Sequence, residues 1–250
     1  AFDQIFNHIT KYQHMYADQC RCPVIIRTPS GGGRAYGPTH SQCLEKFFFG
    51  VPNLTTVSCS PYLDPKAIFT YFLGLDSPAL FFEHKLLYPL DVECYVGQNL
   101  GEFYTEVSHS EGFSPTISLS MVPKEECHLT MLSYGYQSYK MEKVVKKLAY
   151  EDEIFIDLIS TPHLSPIDTK PIKDSVLKTG NLLVVEEGTA KWSWGSEVAC
   201  VLQKDLFGRL KNPIQVLSSG SGIIPSSKDL EREFLINESR VIKSVRKVMK

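Results

Sequence analysis

Phe2, Ile5, Phe6, Ile9 and Tyr12 recur at the spacing of one helical face, so residues 2–16 are expected to form a helix with a buried stripe. Pro23-Val-Ile-Ile-Arg27 follows, a short β-branched run opened by proline and closed by Thr-Pro-Ser-Gly-Gly-Gly, the pattern of a strand entering a flexible loop. A helix is expected at 40–49, a strand at 55–59, a helix after Pro65 and a strand at 79–83. From 89 to 124 the periodicity fades among Gly97, Gly101, Gly112, Pro115 and Pro123, which reads as a connection between two units. It resumes with strands at 128–134, 154–159, 182–186 and 214–217 and helices at 137–150, 168–179, 196–207 and 228–248. Strands alternating with helices, without hairpin signals, predict an α/β fold whose mostly parallel sheet is covered on both faces.

Composition narrows the function classes. Hydrophobic residues make up 43% and charged residues 22% of 250 positions, which fits an ordinary globular chain of two units. A net charge of -2 supplies no electrostatic reason to expect nucleic acid or an anionic membrane as partner. The longest apolar runs, Ala79–Phe82 and Leu182–Val185, are far short of the roughly 20 residues of a membrane span. The seven cysteines form no C-x-x-C pair, so a reducing compartment is expected. Cys20 and Cys22 flank one arginine, and a lone C-x-C is too weak to predict a metal site. Ser239–Lys250 carries five basic residues and no acid, with Val241, Val245 and Val248 on one helical face; it reads as a docking helix with a solvated basic side. With Ala1 in place of an initiator Met, the first residues resemble the interior of a longer sequence.

The segment Arg27-Thr-Pro-Ser-Gly-Gly-Gly-Arg-Ala-Tyr-Gly-Pro-Thr-His-Ser-Gln42 carries the candidate chemistry. Its glycines and prolines cluster beyond the carboxyl end of a predicted parallel strand, where α/β proteins place their ligand sites. Glycine permits close backbone approach there. His40, expected between loop and helix, is the candidate catalytic residue, because an imidazole titrating near pH 6.5 serves as proton donor or acceptor. A capping or purely structural His40 is the alternative. Gly31-Gly32-Gly33 has neither the G-x-G-x-x-G fingerprint nor the Lys-Ser/Thr pair of a phosphate loop. Glu83-His84-Lys85 at a strand end reads as structural closure, and Trp192 and Trp194 as packing anchors or interface residues.

The string PVIIRTPSGGGRAYGPTHSQCLEKFFFGVPNL, followed by PYLDPKAIF and LFFEHKLLY, resembles the middle of the beta subunit of the thiamine-diphosphate-dependent 2-oxo acid dehydrogenases (pyruvate and branched-chain). KTGNLLVVEEGTAKWSWGSEVACVL is similar to the transketolase C-terminal-type domain of the same family. The resemblance implies that residues 1–100 are the C-terminal part of a pyrimidine-binding domain, 101–124 a linker and 125–250 a transketolase C-terminal domain. It implies oxidative decarboxylation of a 2-oxo acid with acyl transfer to lipoamide, in a heterotetramer of two alpha and two beta chains. Thiamine diphosphate would lie between subunits, its diphosphate and Mg²⁺ held by the alpha chain. The implied partners are the alpha subunit, the lipoyl acyltransferase core and a second beta chain, in the cytoplasm or, in a eukaryote, the mitochondrial matrix. The histidine of the family's H-S-Q motif falls on His40 and is implied to handle protons during acyl transfer. No cofactor-binding residue is assigned. Two departures stand out: the chain is expected to begin after the glutamate that activates the cofactor, and Ile25 and Leu75 stand where Thr and Asp are usual at the family's potassium site. A truncated, non-catalytic homologue serving as an assembly or interaction module is the rival reading.

Overall fold

The computed structural model describes residues 1–91 and 101–250. In chain order the elements are α1 (Tyr12–Met15), β1 (Ile25–Ser30), β2 (Thr55–Ser58), α2 (Pro65–Leu73), β3 (Ala79–His84), β4 (Tyr104–Ser108), β5 (Thr116–Ser120), β6 (Leu129–Ser133) and α3 (Gly135–Asp152). They continue with β7 (Ile156–Ser160), β8 (His163–Ser165), α4 (Lys170–Thr179), β9 (Leu182–Thr189), α5 (Trp194–Leu206), β10 (Gln215–Ser219), α6 (Lys228–Phe234) and α7 (Glu238–Val248).

Two sheets result. The first has the order β1-β3-β2-β8, parallel except for β8. The second has the order β10-β9-β6-β7-β5-β4, its first four strands parallel and β5 and β4 antiparallel. The expected α/β class with mostly parallel sheets is therefore the observed one. Strands β3, β6 and β7 are buried along their whole length, as sheets covered on both faces require. Two apolar clusters join the halves: Val57 and Phe81 of the first sheet pack with Met131, Leu158 and Leu183 of the second, and Leu80 and Phe82 with Leu132, Ile159 and Val184. No helix among the described residues is long and apolar enough to cross a membrane.

Local chemistry sets several boundaries. Asp64 caps α2 by accepting from the Lys66 amide, and Pro65 opens the helix where a missing N–H costs nothing. The expected helix over 228–248 is two helices, because Leu235 turns extended and Leu235 and Ile236 are buried between them. Asn237 then caps α7 through the Arg240 amide. The docking face of α7 is as expected: Val241 and Val245 are buried beside α3, while Arg246 pairs with Glu151 and Asp152.

Three expectations need correction. The helix over 2–16 breaks at Thr10 into a π-helical Gln4–Ile9 and the short α1; Ile5 alone of its stripe is buried, and Phe2 and Tyr12 are exposed. Residues 40–49 form no α-helix. Turns onto the Gly37 carbonyl hold 37–41, and the chain then draws Glu45 inward within a 3₁₀ turn, Glu45–Phe48. Finally, the stretch expected as a connection carries β4 and β5. Thr116, Ser118 and Ser120 of β5 are buried polar residues, Ser118 donating to Asp157, so the strand shows little apolar signal. The expectations for 92–100 lie outside the described residues.

Candidate active-site loop and its buried carboxylates

The parallel register of β1 and β3 pairs Ser30 with His84, so both strands end side by side. His84 is buried, and its Nε2 stands 3.1 Å from each carboxylate oxygen of Glu187 on β9. Nδ1 accepts from the Leu86 amide at 3.2 Å, which leaves the ring proton on Nε2, donating to Glu187. The ring also stacks on Tyr136 at 4.9 Å. Gly31 is required here: its φ is +86°, and a Cβ would fall 2.1 Å from the imidazole.

Glu187 also accepts from the Gly32 amide at 2.7 Å. Burial alone would push this carboxyl up, but the His84 imidazole, the Gly32 amide and the Lys140 ammonium outweigh it and hold Glu187 at about 2. Glu45 behaves in the opposite way. It is buried, and although Ser30 Oγ (3.2 Å) and its own amide donate to it, burial, with the nearby Glu187 charge, raises it to about 7. Glu186 is likewise pushed up by burial, although Ser218 Oγ (2.6 Å) and the Gly195 amide (3.0 Å) donate to it. Lys140, lowered by burial, donates to the Ile236 carbonyl at 2.9 Å. Lys140, Glu187, Gly32, Leu86, Tyr136 and Glu231 help line a cavity of about 600 Å³ between the loop and the chain's last helices.

The loop itself alternates handedness, with positive φ at Gly31, Gly33, Ala35 and Gly37. Such alternation turns successive amides inward and makes a concavity that favours anions. Its anions come from the protein: Gly32 N–H serves Glu187, and Ala35 N–H donates to Glu231 Oε2 at 2.7 Å. The Gly31 amide bonds the Gln42 carbonyl at 3.2 Å and closes the loop. His40 lies near its end, exposed, with Nδ1 2.8 Å from Thr39 Oγ1 and its carbonyl bound by Lys85 Nζ. The loop thus carries an accessible imidazole on a fixed backbone, outside the buried carboxylate cluster.

The other singled-out residues separate. Glu83 pairs with Arg27 (2.6 Å) and accepts from Tyr88 (3.1 Å), the closing role expected of it. Trp194 is 1% exposed and donates to the Leu164 carbonyl at 3.1 Å, whereas Trp192 is 90% exposed and anchors no packing. Sequence reasoning missed Glu45, Glu187 and Glu231. Glu186-Glu187 interrupting the apolar run of β9 was the available signal, since buried acids need partners.

Residues 120–241 match the family model of the transketolase C-terminal domain. The pyruvate dehydrogenase E1 component subunit beta of Chaetosphaeridium globosum is 32% identical over 253 residues, an alignment spanning 100% of this chain and 72% of that protein. The chain belongs to the family of pyruvate dehydrogenase E1 beta subunits. The Gracilaria tenuistipitata var. liui subunit of the same name is 31% identical over 100% of this chain and 72% of its own length. The subunit beta of acetoin:2,6-dichlorophenolindophenol oxidoreductase from Cupriavidus necator is 26% identical, covering 100% and 70%. A solved split gene transketolase, described as an inactive beta4 tetramer, shares the fold: TM-score 0.68, 20% identity, 99% of this chain and 71% of that one.

Proposed function

We propose that this chain acts as the beta-subunit portion of a decarboxylating 2-oxo acid dehydrogenase, with His40 as the acid-base group during acyl transfer to lipoamide. The observation that carries this reading is an exposed imidazole on a loop whose backbone is pinned at Gly31, Gly32, Ala35 and His40. A dithiolane reaching the surface can meet this ring: as the electron-rich acyl carbon left by decarboxylation of the 2-oxo acid bonds one sulfur, the S–S bond breaks, and the ring gives a proton to the departing sulfur and regains one from solvent.

The described residues do not themselves fit the diphosphate end of the cofactor. No three His, Cys, Asp or Glu side chains among them are grouped to hold a metal ion. The two loop amides that could meet phosphate oxygens already hold Glu187 and Glu231. The reading therefore assigns diphosphate and Mg²⁺ to an alpha subunit. The lipoyl acyltransferase core and a second beta chain complete the proposed assembly, with exposed Trp192 as a contact residue.

Reconstitution with an alpha subunit tests the proposal. His40→Ala is expected to lower lipoamide-dependent turnover by about 10²–10⁴-fold, the usual worth of a positioned acid-base group. Decarboxylation coupled to an artificial electron acceptor should change far less. Equal lipoamide turnover at matched assembly would return His40 to a structural role, whereas no turnover by parent or variant would favour the assembly-module reading.

A further inference from the structure

Glu231 is 1% exposed although its helix neighbours Asp229, Leu230, Arg232 and Glu233 are all exposed. Its Oε2 accepts from the Ala35 amide at 2.7 Å, while Oε1 has no hydrogen-bond partner. A buried carboxylate with one amide bond is a net cost to stability, since desolvation exceeds what a single hydrogen bond returns. The contact therefore contributes something other than folding energy.

The loop it touches is held also at Gly31, Gly32 and His40, but between Gly32 and Gly37 the Ala35 amide is where another element grips its backbone. Gly33, Arg34, Tyr36, Pro38, Thr39 and His40 are exposed, so side-chain burial does little to select one conformation. Ala35 adopts φ +56°, a left-handed geometry that a residue with a Cβ holds only when its surroundings impose it. The turn leading into α6 follows the same path: a Cβ on Gly37 would sit 2.7 Å from Ser226 Oγ. Leu235, buried, anchors the other end of α6, and its amide bonds the Glu231 carbonyl at 2.9 Å.

We infer that Glu231 is a positioning residue, which reaches from α6 to the Ala35 amide to fix the glycine loop and so sets where His40 stands. The inference rests on the reading of His40 given above. Glu187 holds the same loop at Gly32, but its bond to His84 also serves the core, so Glu231 isolates the positioning effect.

Three variants test it, in the full chain and in its complex with an alpha subunit. Glu231→Gln keeps an acceptor oxygen, Glu231→Leu keeps the packing without one, and Glu231→Ala keeps neither. In the Leu and Ala variants, amide hydrogen exchange over 32–41 should accelerate by at least about tenfold, with β6, β7 and β9 unchanged. The Gln variant should match the parent. Lipoamide-dependent kcat should fall by about tenfold or more in the Leu and Ala variants, with the KM for the 2-oxo acid unaltered, as misplacement of a catalytic group predicts. Glu231→Leu should retain the parent's melting temperature or exceed it, which separates position from stability. Unchanged loop exchange in the Leu variant, or failure of Gln to restore kcat, overturns the inference. So does a loss from Glu231→Leu that is as large in the His40→Ala background as in the parent, because the residue would then act independently of His40. If His40→Ala alone has no effect while loop exchange responds to Glu231, the His40 reading has failed and the catalytic part of the inference falls with it.

Discussion

His84 Nε2 donates to a carboxylate 103 positions away, Glu187, and this contact ties the last residue of β3 to the middle of β9. Both partners are buried, and the Gly32 amide and the Cys43 thiol also donate to the carboxylate. The loop and the two sheets are therefore joined through one acid.

Glu187→Ala is expected to destabilise the chain by about 1–3 kcal/mol, the usual cost of leaving buried donors, here His84 Nε2–H and the Gly32 amide, without an acceptor. The pH dependence follows in sign. A carboxyl held at about 2 in the folded chain, against 4.5 as its ordinary value, contributes stability that is present above 4.5 and lost as pH falls toward 2. That contribution is about 3 kcal/mol at most. Urea denaturation of parent and variant at pH 7 and pH 3 measures both quantities; equal midpoints at pH 7 would refute the assignment.

Glu45 should act with the opposite sign. Its folded value near 7 lies above 4.5, so its stabilising protonation is complete below 4.5 and is lost as pH rises toward 7, at a cost of about 3 kcal/mol. Glu45→Gln keeps the shape without the charge. The variant is expected to lose less stability than the parent between pH 4.5 and 7 and to be the more stable protein above pH 7. Calorimetric melting profiles that run parallel across this range would show that Glu45 is not buried as described.

The two tryptophans should report separately. Trp194, buried and hydrogen-bonded, is expected to emit at short wavelength and resist iodide, while Trp192 is quenched freely. Trp192→Phe should remove the quenchable fraction and leave stability nearly unchanged, whereas Trp194→Ala should cost about 3–5 kcal/mol through the cavity it leaves. In the assembled complex, protection of Trp192 from iodide would support its contact role. Full quenching there excludes that role.

Periodicity and turn chemistry sufficed for most of the elements. The β-branched run before Thr28 and the apolar runs at 79–83 and 182–186 report local preferences that tertiary packing reinforces. Where polar residues were drawn into the interior, the pattern gave out. Thr116, Ser118 and Ser120 made β5 look like a connection. It gave out also where apolar residues bridge a break in the backbone: Leu235 and Ile236, buried between α6 and α7, looked like the middle of one helix.

The sequence by itself determined the α/β class, the family through its long ordered motifs, and the glycine loop that carries His40, the residue proposed for catalysis. All of these lie within contiguous segments, where local preference and residue order hold the information. The tertiary structure decided which groups hold that loop. Gly32 meets Glu187 across 155 positions and Ala35 meets Glu231 across 196. No periodicity connects residues so far apart; only the packing of both sheets through shared apolar clusters desolvates these carboxylates and aims them at the two amides.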